Sequence, residues 1–155
     1  MEQFNFDKED CRHYISLLQT NINRMASNSA NCKAWLTGLI TASITVSIPL
    51  ALKFSSPKMS YIFLVAIIPT VLFFILDSFY LGLEKRFILL ENKFMVLLKT
   101  KKDFDKDIYD LNPQNMGSDF KYTLKGMKSW STSPFYGVLC IMLIVLHFIF
   151  KSLFT

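Results

Sequence analysis

The chain has 155 residues, 52% of them hydrophobic and 19% charged, with a mean hydropathy of +0.32 and a formal net charge of +5. That hydropathy is high for a water-soluble protein, and a soluble domain of this size has no core wide enough to enclose the uncharged runs described below. Three cysteines, Cys11, Cys32 and Cys140, form no CxxC pair and stand at no metal-ligand spacing with His13 or His147, which argues against zinc; no cofactor is expected.

Met1–Lys33 is polar and mixed in charge, unlike a secretory leader, so the first apolar run is expected to act as its own insertion signal. Cys11, Ile15, Leu18, Ile22, Met25, Ser29, Cys32, Leu36 and Leu39 recur at alternating four- and three-residue steps, the register of a helix with one packed seam. Asp7 is a plausible N-cap. The seam predicts one helix from about residue 7 to about 52, weakest at Ser27–Asn31, where Asn and Ser compete with the helix backbone.

The run Trp35–Leu52 holds 18 residues without a charge. At 1.5 Å per residue, about 17–25 residues cross the ~30 Å hydrocarbon core, so this is the first span. Thr37, Thr41 and Thr45 form a hydroxyl stripe within it. Such hydroxyls bond back to the helix carbonyl four residues earlier, so the stripe either packs helices together, with Gly38, or lines a path between several copies. Lys53 and Lys58 follow in a short loop.

Met59–Leu83 holds 25 residues with Asp77 as its single charge, and forms the second span. Pro49 and Pro69 are expected to kink the first two spans. Tyr80, Leu83, Phe87, Leu90, Phe94 and Leu97 extend the second helix to about Thr100, antiparallel to the first. Asp77, Glu84 and Glu91 recur every seven residues. Asp77, close to the cytoplasmic boundary, is either a structural partner of Arg24, Lys33 or a tyrosine, or with Glu84 part of an acidic ring at an inner mouth.

From Lys101 to Ser133 the periodicity breaks. Asp103, Asp105, Asp107 and Asp110 alternate with Lys and aromatics, and two turn signals follow at Leu111-Asn112-Pro113 and Met116-Gly117-Ser118. Residues 120–130 interleave Lys121, Lys125 and Lys128 with Phe120, Tyr122 and Trp130. Two readings stand side by side: an anionic nucleotide or short oligonucleotide held by charge and stacking, or lysines on anionic lipid with Trp130 at headgroup level. Pro134–Phe150, 17 residues, is the third span.

Lys and Arg number four in residues 1–33, ten in 84–133, two in the loop between the first spans and one after the third span. The positive-inside rule then places residues 1–33 and 84–133 in the cytoplasm and the C-terminus outside. Four parts result: a cytoplasmic N-terminal helix (1–33), a transmembrane hairpin (34–83), a cytoplasmic helix and loop (84–133) and a third transmembrane helix (134–155). The fold class is all-α. No nucleophile elbow or phosphate loop is present, so no enzymatic activity is expected.

The stretch Asp77-Ser78-Phe79-Tyr80-Leu81-Gly82-Leu83-Glu84-Lys85-Arg86-Phe87 resembles the signature of SLATT-type small bacterial membrane effectors, in which an Asp is followed by aromatics, a Leu, Glu-Arg and another aromatic. Lys85 stands where that pattern has Arg and Phe79 where it has Tyr, and the third span is additional to the two-helix core. Size and a cytoplasmic helical base are also similar to the channel effector of the Hailong anti-phage system. The resemblance implies a homo-oligomeric, tetrameric channel in the bacterial inner membrane, controlled by a nucleotide or oligonucleotide from a partner nucleotidyltransferase. The expected site residues are Thr37, Thr41 and Thr45 in the conduction path, Asp77 and Glu84 at the inner mouth, and Arg12, Arg24, Lys33, Lys121, Tyr122, Lys125 and Lys128 around the anionic ligand. The rival from another class is a membrane scaffold that recruits a cytoplasmic partner and conducts nothing.

Overall fold

The structure, a computed structural model, describes residues 8–54, 60–100 and 112–153. The N-cap expected at Asp7, Lys58 of the outer loop, and the carboxylates Asp103, Asp105, Asp107 and Asp110 lie outside the described residues. Every regular element described is helical, and three helices are long and apolar enough to cross a membrane.

Helix α1 runs unbroken over Lys8–Phe54, 47 residues, or about 70 Å. Glu9 and Asp10 in its first turn and Lys53 in its last complement the helix dipole. Its weak stretch holds because the polar side chains are used. Thr20 and Asn21 donate to the carbonyls of Ser16 and Leu17, and Ser29 is buried against the next long helix. Propensity losses of a few tenths of a kcal/mol per residue are small beside that packing. The helix also continues through Pro49, whose missing N–H leaves only the Thr45 carbonyl without its usual donor.

The second span is interrupted. Helix α2 covers Tyr61–Val65, Ala66 is a turn residue, and α3 covers Ile67–Thr100. Pro69 explains the break: it has no N–H for the Val65 carbonyl, and its ring crowds that turn. The Thr70 hydroxyl donates to the Ala66 carbonyl at 2.8 Å, which satisfies an acceptor at the break. Beyond it, α3 is helical as far as Thr100, the last described residue of this stretch and the reach that its seam predicts.

Helices α1 and α3 pack antiparallel, and the buried apolar residues form two clusters, one between α1 and α3 and one joining α1, α2 and α5. On the side expected in the cytoplasm, Tyr14, Leu18, Met25, Phe87, Leu90 and Phe94 are buried together, with the Tyr14 and Phe94 rings 4.6 Å apart. Each such side chain withdrawn from water stabilises the pair by about 1.5–3 kcal/mol. Within the apolar runs, Leu36, Ile40, Phe63, Tyr136 and Leu143 form a second cluster, where close van der Waals fit replaces the hydrophobic drive.

A short 3-10 turn, Pro113–Met116, follows, with the Asn112 side chain accepting from the Gln114 N–H at 3.0 Å. Gly117 has φ +125°, and a Cβ there would meet the Tyr122 ring at 2.9 Å. Asp119–Met127, expected to be irregular, is a nine-residue helix, α4. Helix α5, Ser133–Leu153, begins with Pro134 in its first turn. Its Tyr136, Leu143 and His147 point inward, and the His147 Nδ1–H donates to the Ser60 carbonyl at 3.0 Å.

Candidate functional site

Asp77 is fully enclosed. The Ser29 hydroxyl donates to its Oδ1 at 2.5 Å, and Lys33 Nζ lies 2.7 Å from its Oδ2. Lys33 also donates to Ser29 Oγ at 3.3 Å. Tyr136 of α5 lies within electrostatic reach of Asp77 and Cys32, and its hydroxyl donates to the Phe73 carbonyl at 3.2 Å. The carboxylate thus ties α1 to α3, and the Tyr136 hydroxyl ties α5 to α3 nearby. Of the two roles read from the sequence, the ion pair with Lys33 is the one present; the Asp77 carboxylate is closed off rather than open at a mouth. Glu84, about two turns on, is half-buried. Burial pushes its pKa up, against the pull of Lys85 and Lys33. Burial, and then the Asp77 charge, also raise the Cys32 thiol pKa, which makes it a poor nucleophile.

The ion pair also marks a level. Twenty residues separate Lys33 from Lys53 along α1, about 30 Å of rise, which is one hydrocarbon thickness. A hydrocarbon layer laid between these two lysines would end near Asp77 rather than Leu83.

The Asp77–Phe87 signature divides between two neighbours: Tyr80, Leu83 and Phe87 pack in the cluster shared with α1, and a second side faces α4. Ser78, Gly82 and Arg86 lie at four-residue steps on one side of α3. A Cβ on Gly82 would sit 2.9 Å from the Tyr122 backbone, and one on Gly126 would sit 2.3 Å from the Ser78 carbonyl oxygen. Arg86 is 1% exposed; its Nε donates to the Pro113 carbonyl at 2.9 Å, and its Nη1 pairs with Asp119. Burial lowers the Arg86 pKa without bringing a guanidinium near neutrality. Ser29, Ser78, Gly82, Arg86 and Asp119 were missed as a set. Their signal is small residues four apart followed one turn later by Arg, and it is intelligible only once α4 is known to pack there.

The opposite side of α1 is open. Thr37, Thr41 and Thr45 are exposed, and the Thr37 and Thr45 hydroxyls donate to the carbonyls of Lys33 and Thr41 at 2.8 and 2.9 Å. A Cβ on Gly38 would meet nothing within 4 Å. The strip of Ala34, Thr37, Gly38, Thr41 and Thr45 is small and hydroxylated, with the bulky, exposed Trp35 and Leu39 along one border. The exposed faces of α3 and α5 differ: Ile68, Val71, Leu72 and Ile75, and Val138, Ile141, Val145 and Phe148, are bulky and suited to lipid chains. On the N-terminal side of Lys33 the open face of α1 continues through Ser27, Arg24, Asn23, Thr20, Ser16 and Arg12, all exposed.

The cations expected around an anionic ligand fall into separate groups. Arg12 and Arg24 are exposed on α1, while Lys33 is committed to Asp77. Lys121 and Lys125 on α4, and Lys128 at its C-cap, are exposed. Tyr122 is half-buried between Gly117 and α3, with Lys125 Nζ 5.0 Å from its ring centroid. Comparison with protein-family models, with curated proteins and with solved structures finds no match.

Proposed function

We propose that this chain is a ligand-regulated ion channel, a homo-oligomer of three-span subunits in which the open face of α1 turns towards a common axis. The observation that carries this reading is the contrast between that face and every other exposed surface of the spans. Hydroxyls on a helix facing lipid gain nothing from their position, whereas around an axis they supply oxygens to a hydrated path. Copies arranged this way put Thr37, Thr41 and Thr45 along the path and rings of Arg24 and Arg12 below it.

The resemblance of Asp77–Phe87 to SLATT-type effectors supports a bacterial inner-membrane tetramer acting in anti-phage defence, with a ligand made by a partner nucleotidyltransferase. Lys and Arg placement supports a cytoplasmic N-terminus and an outward C-terminus. Arg12 and Arg24 are the cations assigned to that nucleotide or oligonucleotide, since Lys33 is engaged and the lysines of α4 stand beside the membrane. Asp77 is given a structural role, holding α1 by its back so that its hydroxyl face stays turned outward.

Ion flux from vesicles holding the purified protein tests the reading. Flux is expected to respond to added oligonucleotide. Thr41→Leu introduces an apolar ring that expels water from the path, and conductance falls on the order of ten-fold. Arg12→Gln with Arg24→Gln removes charge-assisted contacts and weakens the ligand response by roughly ten-fold per arginine. Unchanged conductance in Thr41→Leu removes the threonines from the path. The scaffold reading has its own support in the exposed Ile88, Leu89, Met95 and Val96 on the cytoplasmic extension of α3; it is favoured by a complete absence of flux.

A further inference from the structure

Helix α4 is placed by backbone contact rather than by its own propensity. Gly126 abuts Ser78, next to the Asp77 level, and Asp119 pairs with Arg86, two turns further from the hydrocarbon. Helix α4 therefore runs antiparallel to α3 through a layer about 12 Å deep that begins at the inner boundary, which is where lipid headgroups lie. α5, the third apolar helix, begins six residues after α4 ends.

The side of α4 turned away from α3 has two strips. Phe120 is 74% exposed and Leu124 is 41% exposed; beside them Lys121, Lys125 and Lys128 are all exposed. Trp130, just beyond the helix, is 91% exposed. The single acidic residue of α4, Asp119, is engaged by Arg86. A surface that is apolar along one strip, cationic along the next and free of exposed unpaired carboxylate is complementary to the acyl–phosphate border of an anionic leaflet.

We propose that α4 is a recognition site for anionic phospholipid, in which Lys121, Lys125 and Lys128 hold headgroup phosphates while Phe120, Leu124 and Trp130 reach the acyl chains. The site rests on the spans lying in a bilayer and does not depend on conduction. Its long aliphatic lysine stems lie along the apolar strip while the ammonium groups reach the phosphates.

Trp35 and Trp130 are the two tryptophans of the chain, so Trp35→Phe leaves Trp130 as a lone reporter. The full chain is reconstituted in vesicles of two parts phosphatidylcholine to one part phosphatidylglycerol. Bromine, which quenches tryptophan, is carried on the acyl chains of one lipid at a time at matched total content. Bromine on phosphatidylglycerol is expected to quench Trp130 more strongly, corresponding to a local enrichment of roughly five-fold for each lysine contact. Lys121→Gln, Lys125→Gln and Lys128→Gln together, all at exposed positions, should erase the preference while the helical content stays unchanged. Equal quenching by the two lipids overturns the proposal, as does a preference that survives the triple substitution. A Trp130 response to soluble nucleoside triphosphate in pure phosphatidylcholine that needs the three lysines would assign them to free phosphate and overturn it too.

Discussion

Lys33→Ala is expected to be among the most damaging single substitutions in the chain, lowering stability by about 3–5 kcal/mol. It strands the Asp77 carboxylate, which is fully enclosed and has no route to water. The Ser29 hydroxyl remains as a donor, but one neutral hydrogen bond does not replace a cation in a site of low dielectric. Removing the other partner is less harmful. With Asp77→Ala the Lys33 side chain, 19% exposed, extends its ammonium to the headgroups and keeps its stem packed. The order Lys33→Ala worse than Asp77→Ala follows from that difference in access alone. Lys33→Met with Asp77→Leu should recover most of the loss, because a buried pair replaced by apolar residues of similar volume is often neutral. Denaturant titration of helical content in mixed micelles measures all four proteins. Equal, small losses in both single variants would mean that the pair carries little of the α1–α3 contact.

Gly126→Val is the second large effect, about 3 kcal/mol or more. The added Cβ falls 2.3 Å from the Ser78 carbonyl oxygen and 3.1 and 3.2 Å from the carbonyl carbon and Cα of the same residue. All three are backbone atoms of a long helix and cannot move aside as a side-chain tip would. Helix α4 must then leave α3, exposing Arg86 and opening its pair with Asp119. Gly137→Ala provides the opposite sign. A Cβ there meets nothing within 4 Å, so the helix gains up to about 1 kcal/mol from the better helix former. The same denaturant titration, with limited proteolysis at Lys121 and Lys125, reads both variants. Trypsin should cut α4 faster only in Gly126→Val. An undisturbed α4 in that variant would show that the helix does not approach Ser78 so closely.

Both long helices were legible in the sequence because their evidence is redundant. Uncharged length marks the spans, and the four-three seam from Cys11 to Leu39, matched by Tyr80 to Leu97, carries each helix beyond its span. Interrupting residues misled where tertiary contacts outweigh propensity. Ser29 reads as a helix weakness and is in fact the donor that meets Asp77. Helix α4 was illegible for the reverse reason: nine residues are too few to hold a helix in isolation. Their order comes from Gly82, Gly126 and Arg86, whose purpose depends on a contact between segments some forty residues apart. Pro69 gave the kink, but its clash acts on the preceding turn, which places the break at Ala66.

The open face of α1 read correctly as a threonine stripe, yet sequence alone did not separate it from ordinary packing. The structure adds where the stripe lies relative to the buried side of the helix. Ser47, two residues beyond Thr45, is buried, while the three threonines are exposed. Glu84 and Asp77 share a seven-residue spacing with Glu91, but spacing did not reveal that Asp77 points to the buried side of α1. That side is the one opposite the threonines.

Thiol cross-linking tests the assembly through α1 most directly. In the full chain with Cys11, Cys32 and Cys140 replaced by Ala, Thr41→Cys is compared in native membranes with Ile141→Cys on the bulky face of α5. Thr41→Cys is expected to join copies of the chain through a short bis-thiol reagent and to react with a membrane-impermeant thiol reagent, while Ile141→Cys does neither. Thr41→Cys remaining monomeric and as protected as Ile141→Cys would contradict the account.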